Sequence, residues 1–242
     1  MTISFLREKR RRFWKRFIEL LALFSFLLFV RTYIAGPYKI PTGSMVPTLL
    51  AGDFIFVSKV SYGLKIPFTR NYLFGPSSPK RGDVVVFRFP EDHSMVLVKR
   101  LVAIPGDTIE IKRKKIYLNG KKISEKRIKS KFFERENRRF FGPFHFDLYL
   151  AELGEKSFFY QLSRENFSKS RMKEKKLAEN EYFVLGDNRD FSNDSRYWGT
   201  IKQEDIIGKA LVIWLSLSYP SGDKEEDAKR NLFRWNRFGK SL

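Results

Sequence analysis

The chain has 242 residues, a formal net charge of +20 and no cysteine. This length is enough for one domain of about 200 residues with its own core, plus appendages. The charge indicates an anionic neighbour, either nucleic acid or a membrane surface rich in anionic lipid. The absence of cysteine excludes disulfides, thiol catalysis and cysteine-ligated metals. The histidines are His93 and His145, so a histidine-based triad would have to use one of them, and a zinc site would need carboxylates as well.

The N-terminal part combines a basic segment with an apolar one. Seven lysine and arginine residues lie within residues 7–16, and a strongly apolar run covers residues 17–30. Basic residues stay on the cytoplasmic side of a membrane-spanning helix. We therefore predict a basic cytoplasmic N-terminus (1–16) and a transmembrane anchor (17–35), with the rest of the chain outside.

This N-terminal part has two other interpretations. A cleavable signal peptide has the same basic and apolar regions, but Tyr33 stands where its cleavage site needs a small residue. A basic nucleic-acid-binding arm is the second, although such an arm rarely continues directly into an apolar segment. We favour the uncleaved anchor.

A short segment with two prolines follows the anchor, and we call it the serine turn (41–48). Its prolines stiffen the backbone, and Gly43 allows a sharp bend with room for another chain to approach. A turn of this composition is usually only a turn. However, Ser44 lies just beyond an apolar segment, where it is placed for chemistry at a membrane surface.

The rest of the chain has the pattern of β-strands. Short apolar and β-branched runs are separated by glycine and proline, and no helical periodicity of comparable strength occurs. We predict strands at residues 53–60, 83–89, 95–104, 108–111, 181–185 and 206–217. Asn119 and Gly120 predict a type I′ turn in a hairpin over residues 115–123. The predicted fold class is mainly β, with a β domain formed by residues 37–120 and 181–218.

Two regions differ from this β pattern. Residues 121–180 are rich in lysine, arginine, glutamate and phenylalanine and poor in valine and isoleucine. This composition predicts a charged insertion, partly ordered by its aromatic residues and partly solvated. Residues 219–242 form a charged C-terminal tail with interspersed leucine, phenylalanine and tryptophan. The tail is predicted to be either a helix on a membrane surface or only a tail.

A lysine lies among apolar residues in the strand predicted at 95–104. Alternate side chains of a strand share a face, so Lys99 shares a face with Leu97 and Leu101, whereas Arg100 points to the other. Burial would lower the pKa of Lys99 and allow its neutral amine to act as a general base near neutral pH. Alternatively, Lys99 lies at the edge of the sheet and extends to water.

A dense polar segment, which we call the polar loop (186–199), follows the strand predicted at 181–185. It has glycine at both ends, and its composition predicts side chains that bond to one another. Asp194 and Arg196 are candidates for an ion pair, and Ser192 is a candidate hydrogen-bonding partner of a neighbour. By itself, such a segment is most often a surface loop or a carboxylate-rich cation site.

Four motifs occur in a fixed order. They are Pro-Thr-Gly-Ser-Met-Val-Pro-Thr (41–48), Arg-Gly-Asp-Val-Val-Val-Phe (81–87), Lys-Arg-Leu-Val-Ala-Ile-Pro-Gly-Asp (99–107) and Gly-Asp-Asn-Arg-Asp-Phe-Ser-Asn-Asp-Ser-Arg-Tyr-Trp-Gly (186–199). Together with the anchor, they resemble the bacterial type I signal peptidases. These are membrane-bound Ser/Lys endopeptidases that remove signal peptides from exported proteins. The resemblance covers residues 15–120 and 180–217.

The resemblance implies a catalytic role for the serine turn. Ser44 would be the nucleophile and Lys99 its general base. The Ser44 N–H and the Thr42 hydroxyl would form the oxyanion hole, and Met45 would help to line the substrate cleft beside the nucleophile.

The resemblance also implies a supporting role for the polar loop. Ser192 would hydrogen-bond Lys99 and orient it, and Asp194 and Arg196 would pair to hold the loop behind the dyad. Phe191 stands where the family usually has asparagine.

The same resemblance implies a single-pass protein of the bacterial inner membrane that acts without a cofactor or metal ion. Its partners would be signal peptides of secreted pre-proteins and membrane lipids, and not nucleic acid. One alternative is another Ser/Lys protease, such as a self-cleaving repressor, which the anchor and the lack of a DNA-binding module disfavour. The other is an inactive, membrane-tethered module that binds anionic lipid or nucleic acid. The presence of Ser44, Lys99 and Ser192 disfavours this second alternative.

Overall fold

The computed structural model describes residues 2–65, 72–75, 77–130, 133–134, 141–165, 170–218 and 233–242. The chain begins with helix α1 (Thr2–Phe29), which a π-helical turn (Val30–Ile34) continues. Among the described residues, one helical segment, Arg10–Ile34, is long and apolar enough to cross a membrane by length and composition. Helix α1 begins before the anchor predicted at 17–35, because lysine, arginine and leucine are all good helix formers.

Sixteen strands and a second helix follow within the described residues. The strands are β1 (Ala35–Lys39), β2 (Asp53–Ser58), β3 (Leu64–Lys65), β4 (Tyr72–Phe74), β5 (Val84–Phe89), β6 (Asp92–Ala103), β7 (Thr108–Lys112), β8 (Lys115–Leu118), β9 (Lys121–Lys122), β10 (Glu125–Ile128), β11 (Phe146–Leu153), β12 (Lys156–Ser163), β13 (Met172–Lys176), β14 (Glu181–Leu185), β15 (Ile201–Lys202) and β16 (Ile206–Ser216). Helix α2 is short (Ser195–Trp198). The predicted mainly β class is confirmed.

The strands form four antiparallel sheets. The largest has the order β1-β2-β16-β5-β6-β14-β15, and the smaller ones have the orders β10-β11-β12, β13-β7-β8-β9 and β3-β4. In the largest sheet β14 ends at Leu185, opposite Arg100. Residues 92–99 of β6 therefore pair with β5 on one side and have no strand partner on the other among the described residues. We call this unpaired side the free edge of β6.

The hairpin predicted at residues 115–123 is present as β8 and β9. Asn119 and Gly120 have φ angles of 52° and 76°. A type I′ turn requires positive φ at both central residues, which asparagine and glycine tolerate best. Local turn chemistry therefore determined this part of the fold.

The region 121–180 was predicted to be a charged insertion that is partly ordered and partly solvated. Its described residues are more ordered than the composition indicated. They contain strands β9 to β13, and β13 pairs with β7 of the predicted β domain. Their apolar side chains share a buried core with Val102 and Phe183; these are Ile123, Ala151, Leu153, Phe158, Tyr160, Leu162 and Leu177. Composition hid this core because charged and apolar residues alternate along a strand and face opposite sides. Residues 131–132, 135–140 and 166–169 lie outside the described residues.

The end of the chain, which we call the C-terminal segment (233–242), packs on the largest sheet. It forms one β-bridge to β16 and another to the residue that follows β16. Arg237 donates to both carboxylate oxygens of the buried Asp53, at 2.9 Å from Nε to Oδ1 and 2.5 Å from Nη2 to Oδ2, and its Nη2 donates to the Thr48 carbonyl at 2.9 Å. The predicted tail is thus a structural part of the domain here, whereas residues 219–232 lie outside the described residues.

Candidate active site

The serine turn is held from two sides. Met45 and Leu49 lie in the core beneath it, and Met45 is only 1% exposed. The structure therefore places the Met45 side chain in the core under the turn; that Met45 helps to line the substrate cleft, as the resemblance implies, stays a prediction. From the other side, Asn188 of the polar loop donates its backbone N–H to the Ser44 carbonyl at 3.0 Å and its side-chain amide to the Gly43 carbonyl at 3.2 Å. This clamp leaves Ser44 partly exposed.

Ser44 and Lys99 share a hydrogen bond, with 2.8 Å between Oγ and Nζ. Lys99 lies at the end of the free edge of β6, but the residue is only 4% exposed, so its side chain is buried and does not extend to water. Burial lowers the pKa of Lys99 to about 8, and the negative charges of Asp194 and Asp187 limit the fall. About a tenth of the Lys99 side chains are therefore neutral at pH 7, and the neutral amine can accept the Ser44 proton.

Neither histidine bonds to Ser44. The side chain of His93 is 65% exposed and lies 3.9 Å from Asp205, and that of His145 is 60% exposed and lies 3.6 Å from Glu165. The group positioned to take the Ser44 proton is therefore the Lys99 amine.

Two hydrogen-bond donors of the serine turn have no acceptor among the described residues. They are the Ser44 N–H and the hydroxyl of Thr42, whose side chain is exposed.

The polar loop folds back on itself through Asp194 and Arg196. Arg196 donates to both carboxylate oxygens of Asp194, at 2.7 Å from Nε and 2.9 Å from Nη2, and also to the carbonyls of Arg189 and Ser192. Asp194 in turn accepts the Gly186 N–H at 3.0 Å. Both charged side chains are buried, and these hydrogen bonds offset the cost of removing them from water.

Ser192 lies beside the dyad, but it does not bond to Lys99 in this structure. Its Oγ is buried and has no hydrogen-bond partner in the described part of the chain. The Ser192 side chain packs against Gly186 instead, where a methyl group would collide with it and would also lie 2.5 Å from the Ser44 carbonyl oxygen. Glycine at position 186 therefore lets the polar loop approach the serine turn closely.

Sequence reasoning missed a second buried ion pair next to the dyad. Arg100 donates to both carboxylate oxygens of Asp187, at 2.8 Å from Nε and 2.7 Å from Nη2, and to the Gly82 carbonyl at 2.8 Å. Asp187 also accepts the hydroxyl of Thr48 at 2.5 Å. The pair thus joins strand β6, the polar loop and the serine turn. Because side chains alternate along a strand, Arg100 lies on the face opposite that of Lys99. A buried arginine needs a carboxylate partner, and this need was the signal that could have identified the pair.

Comparison with known proteins identifies the family. Residues 11–215 match the family model described as signal peptidase, peptidase S26. The chain belongs to this signal peptidase family. It is 33% identical over 265 residues to signal peptidase I of Buchnera aphidicola subsp. Acyrthosiphon pisum, which covers 96% of this chain and 83% of the relative.

Other signal peptidases are similarly close. Signal peptidase I of Pseudomonas aeruginosa is 36% identical over 208 residues, covering 80% of this chain and 69% of the relative. Signal peptidase I of Rickettsia typhi is 37% identical over 206 residues, covering 78% of this chain and 75% of the relative. Family membership confirms the predicted enzyme class and function, a serine endopeptidase that removes signal peptides from exported proteins. The family is membrane-anchored, in agreement with the apolar helix Arg10–Ile34.

Proposed function

We propose that Ser44 is the nucleophile that cleaves the signal peptide and that Lys99 is its general base. The observation that carries this proposal is the 2.8 Å hydrogen bond between Ser44 Oγ and a lysine that is almost fully buried. A serine hydroxyl needs a base to become a nucleophile, and a desolvated lysine supplies one without a histidine.

The reaction uses groups of the chain and water. Ser44 Oγ bonds to the carbonyl carbon of the scissile peptide while its proton passes to Lys99 Nζ. The Ser44 N–H and the Thr42 hydroxyl donate to the resulting oxyanion. Lys99 then gives the proton to the nitrogen of the leaving chain as the carbon–nitrogen bond breaks. A water molecule, deprotonated by the neutral Lys99, then bonds to the acyl carbon. The bond from this carbon to Ser44 Oγ breaks, Ser44 Oγ takes the proton back from Lys99, and the signal peptide is released.

The polar loop supports the dyad in this proposal. The ion pair of Asp194 and Arg196 keeps the loop folded against the serine turn, and its burial and side-chain hydrogen bonds support that role. Ser192 orients Lys99 after its hydroxyl rotates away from Gly186. Rotation about one side-chain bond is a small change for a serine.

The free edge of β6 is the proposed binding site for the signal peptide. An extended peptide adds to an unpaired strand edge through main-chain hydrogen bonds, and this edge ends at Lys99. Signal peptides have small residues at the first and third positions before the cut. Shallow subsites are therefore expected along the edge.

The rate of cleavage should rise with pH through the pKa of Lys99. Because burial lowers this pKa to about 8, the neutral fraction of Lys99 grows from pH 7 to pH 9 and then levels off. We expect kcat/KM for a purified pre-protein in detergent to follow this rise, with its midpoint near pH 8, because kcat/KM reports the pKa values of the free enzyme. Ser44→Ala should be inactive at every pH. A flat profile, or a profile centred near pH 6.5, would argue against Lys99 as the base.

The proposed topology places residues 1–16 in the cytoplasm and the β domain on the outer face of a bacterial inner membrane. The seven basic residues before the apolar run support this orientation. Protease added to spheroplasts should degrade the β domain, as followed with an antibody against it. A cytoplasmic marker protein should stay intact in the same sample. Protection of the β domain until the membrane is broken would contradict the proposed orientation.

A further inference from the structure

An aromatic ring from the region 121–180 covers the residue before Ser44. A methyl group placed on Gly43 would lie 2.8 Å from Cζ and 3.2 Å from Cε1 of Phe141. Carbon atoms in contact prefer about 3.5 Å or more, so the Phe141 ring occupies the space directly against Gly43. Phe141 is only partly buried, which leaves part of its ring exposed beside the nucleophile.

Two other phenylalanines hold this ring in place. The centroid of the Phe141 ring lies 5.2 Å from that of Phe146 and 5.4 Å from that of Phe191, and Phe146 and Phe191 are 5.5 Å apart. Tilted aromatic pairs at such distances stabilise a packed arrangement beyond the burial of area. We call these three residues the aromatic wall (Phe141, Phe146 and Phe191). Because Phe191 belongs to the polar loop, the wall connects that loop with the start of β11.

The aromatic wall can be located relative to the point where the free edge of β6 ends. A signal peptide on the free edge of β6 reaches Ser44 at Lys99, where the free edge ends because β14 pairs with β6 from Arg100 onward. The residues after the cut therefore have to leave the sheet at this point. The polar loop begins where β14 ends, and the aromatic wall packs on that loop and on Gly43.

From this arrangement we infer that Phe141 contacts the first residues of the mature protein and determines which side chains are accepted there. The inference rests on the proposed role of Ser44 as the nucleophile. Phe191 holds the Phe141 ring from behind. The ring restricts the space after the cut, so bulky residues at the first position of the mature protein are disfavoured.

The test compares Phe141→Ala with Phe144→Ala. Phe144 is a matched control because its ring packs on Phe191, 5.5 Å between centroids, and is not among the atoms nearest Gly43. The substrates are synthetic pre-protein peptides that differ in one residue, either alanine or tryptophan as the first residue after the cut, or alanine or valine as the last residue before it. The full chain in detergent is used, and kcat/KM is measured for each peptide.

The first quantity compared is the ratio of kcat/KM for the peptide with alanine after the cut to kcat/KM for the peptide with tryptophan there. We expect Phe141→Ala to shift this ratio by about tenfold in favour of tryptophan, because removal of the ring opens the space that it filled. The kcat/KM ratio for the peptides with alanine or valine as the last residue before the cut should stay within about twofold of its value in the unmodified protein. Both ratios should also stay within about twofold in Phe144→Ala. Phe141→Leu should give an intermediate shift after the cut.

The outcomes separate this inference from the proposed function. A uniform loss of kcat/KM on all peptides in a folded Phe141→Ala variant would overturn the inference, because it indicates a purely structural role. A change in the kcat/KM ratio only for the residue before the cut would also overturn it, because it indicates a subsite for the signal peptide. An active Ser44→Ala variant would instead overturn the proposed function itself. Thermal melts of each variant show whether it is folded at the assay temperature.

Discussion

Replacement of Lys99 with arginine should lower kcat for a pre-protein by about ten thousandfold while the protein stays folded. Arginine keeps the positive charge and much of the side-chain length, but its guanidinium does not lose its proton at working pH. The Ser44 hydroxyl, which shares a 2.8 Å hydrogen bond with Lys99 Nζ, would then face a group that cannot accept its proton. The measurement is kcat in detergent at pH 9, where the unmodified enzyme is most active.

Matched controls separate this effect from a general response to substitution. Lys156→Arg changes the same residue type at an ion pair with Asp83, 2.6 Å between Nζ and Oδ1, and should keep most of the activity. His93→Ala and His145→Ala should keep most of it as well, since neither histidine bonds to Ser44. Turnover by Lys99→Arg above about a hundredth of the normal rate would remove Lys99 as the base. An inactive but folded His93→Ala variant would direct attention to a histidine mechanism.

Replacement of Arg100 with methionine should lower the free energy of unfolding by about 3–5 kcal/mol. Methionine fills a similar volume, but it leaves the carboxylate of Asp187 buried with the Thr48 hydroxyl and without the cation that hydrogen-bonds to both of its oxygens. For a chain of this size the loss corresponds to a fall of about 6–20 °C in Tm. Denaturant unfolding and thermal melts of the purified protein measure both quantities.

The more exposed pair of Arg127 and Asp147 provides the control for this prediction. Arg127 Nη2 donates to Asp147 Oδ1 at 2.5 Å, the two side chains are 50% and 19% exposed, and Arg164 also donates to Asp147 Oδ1, at 3.0 Å. Arg127→Met should therefore cost about 1 kcal/mol or less. In the background of Asp187→Asn, Arg100→Met should cost less than it does alone, because no buried charge is left behind. A fall in Tm of less than about 2 °C for Arg100→Met would contradict the prediction.

The residues of the dyad were predictable because they belong to short, local patterns. Proline and glycine around Ser44 predict a stiff turn, and strand alternation places Lys99 among apolar side chains. What alternation could not decide was whether Lys99 is buried or extends to water. That depends on contacts with residues far away in sequence: Lys99 Nζ hydrogen-bonds to Ser44 Oγ of the serine turn, and the residue is only 4% exposed.

The roles within the polar loop were only partly predictable. Asp194 and Arg196 are two residues apart, so their ion pair follows from local geometry. The partner of Ser192 depends on side-chain packing against Gly186 and the serine turn, and the predicted bond to Lys99 is not formed here. A hydroxyl can rotate to bond with any of several nearby groups, and the sequence alone does not determine which of them it bonds with.

By itself, the sequence determined the apolar helix at the N-terminus, the mainly β class, the stiff turn around Ser44 and the position of Lys99 among apolar residues of a strand. All of these depend on residues close together along the chain. Only the tertiary structure decided that the region 121–180 completes the core, that Arg237 of the C-terminal segment bonds to Asp53, and that the Phe141 ring covers Gly43. These contacts join residues that are far apart in sequence. The energy of these contacts comes from burial and from charge pairing across strands. Neither produces a local periodic pattern in the sequence from which the contact could be predicted.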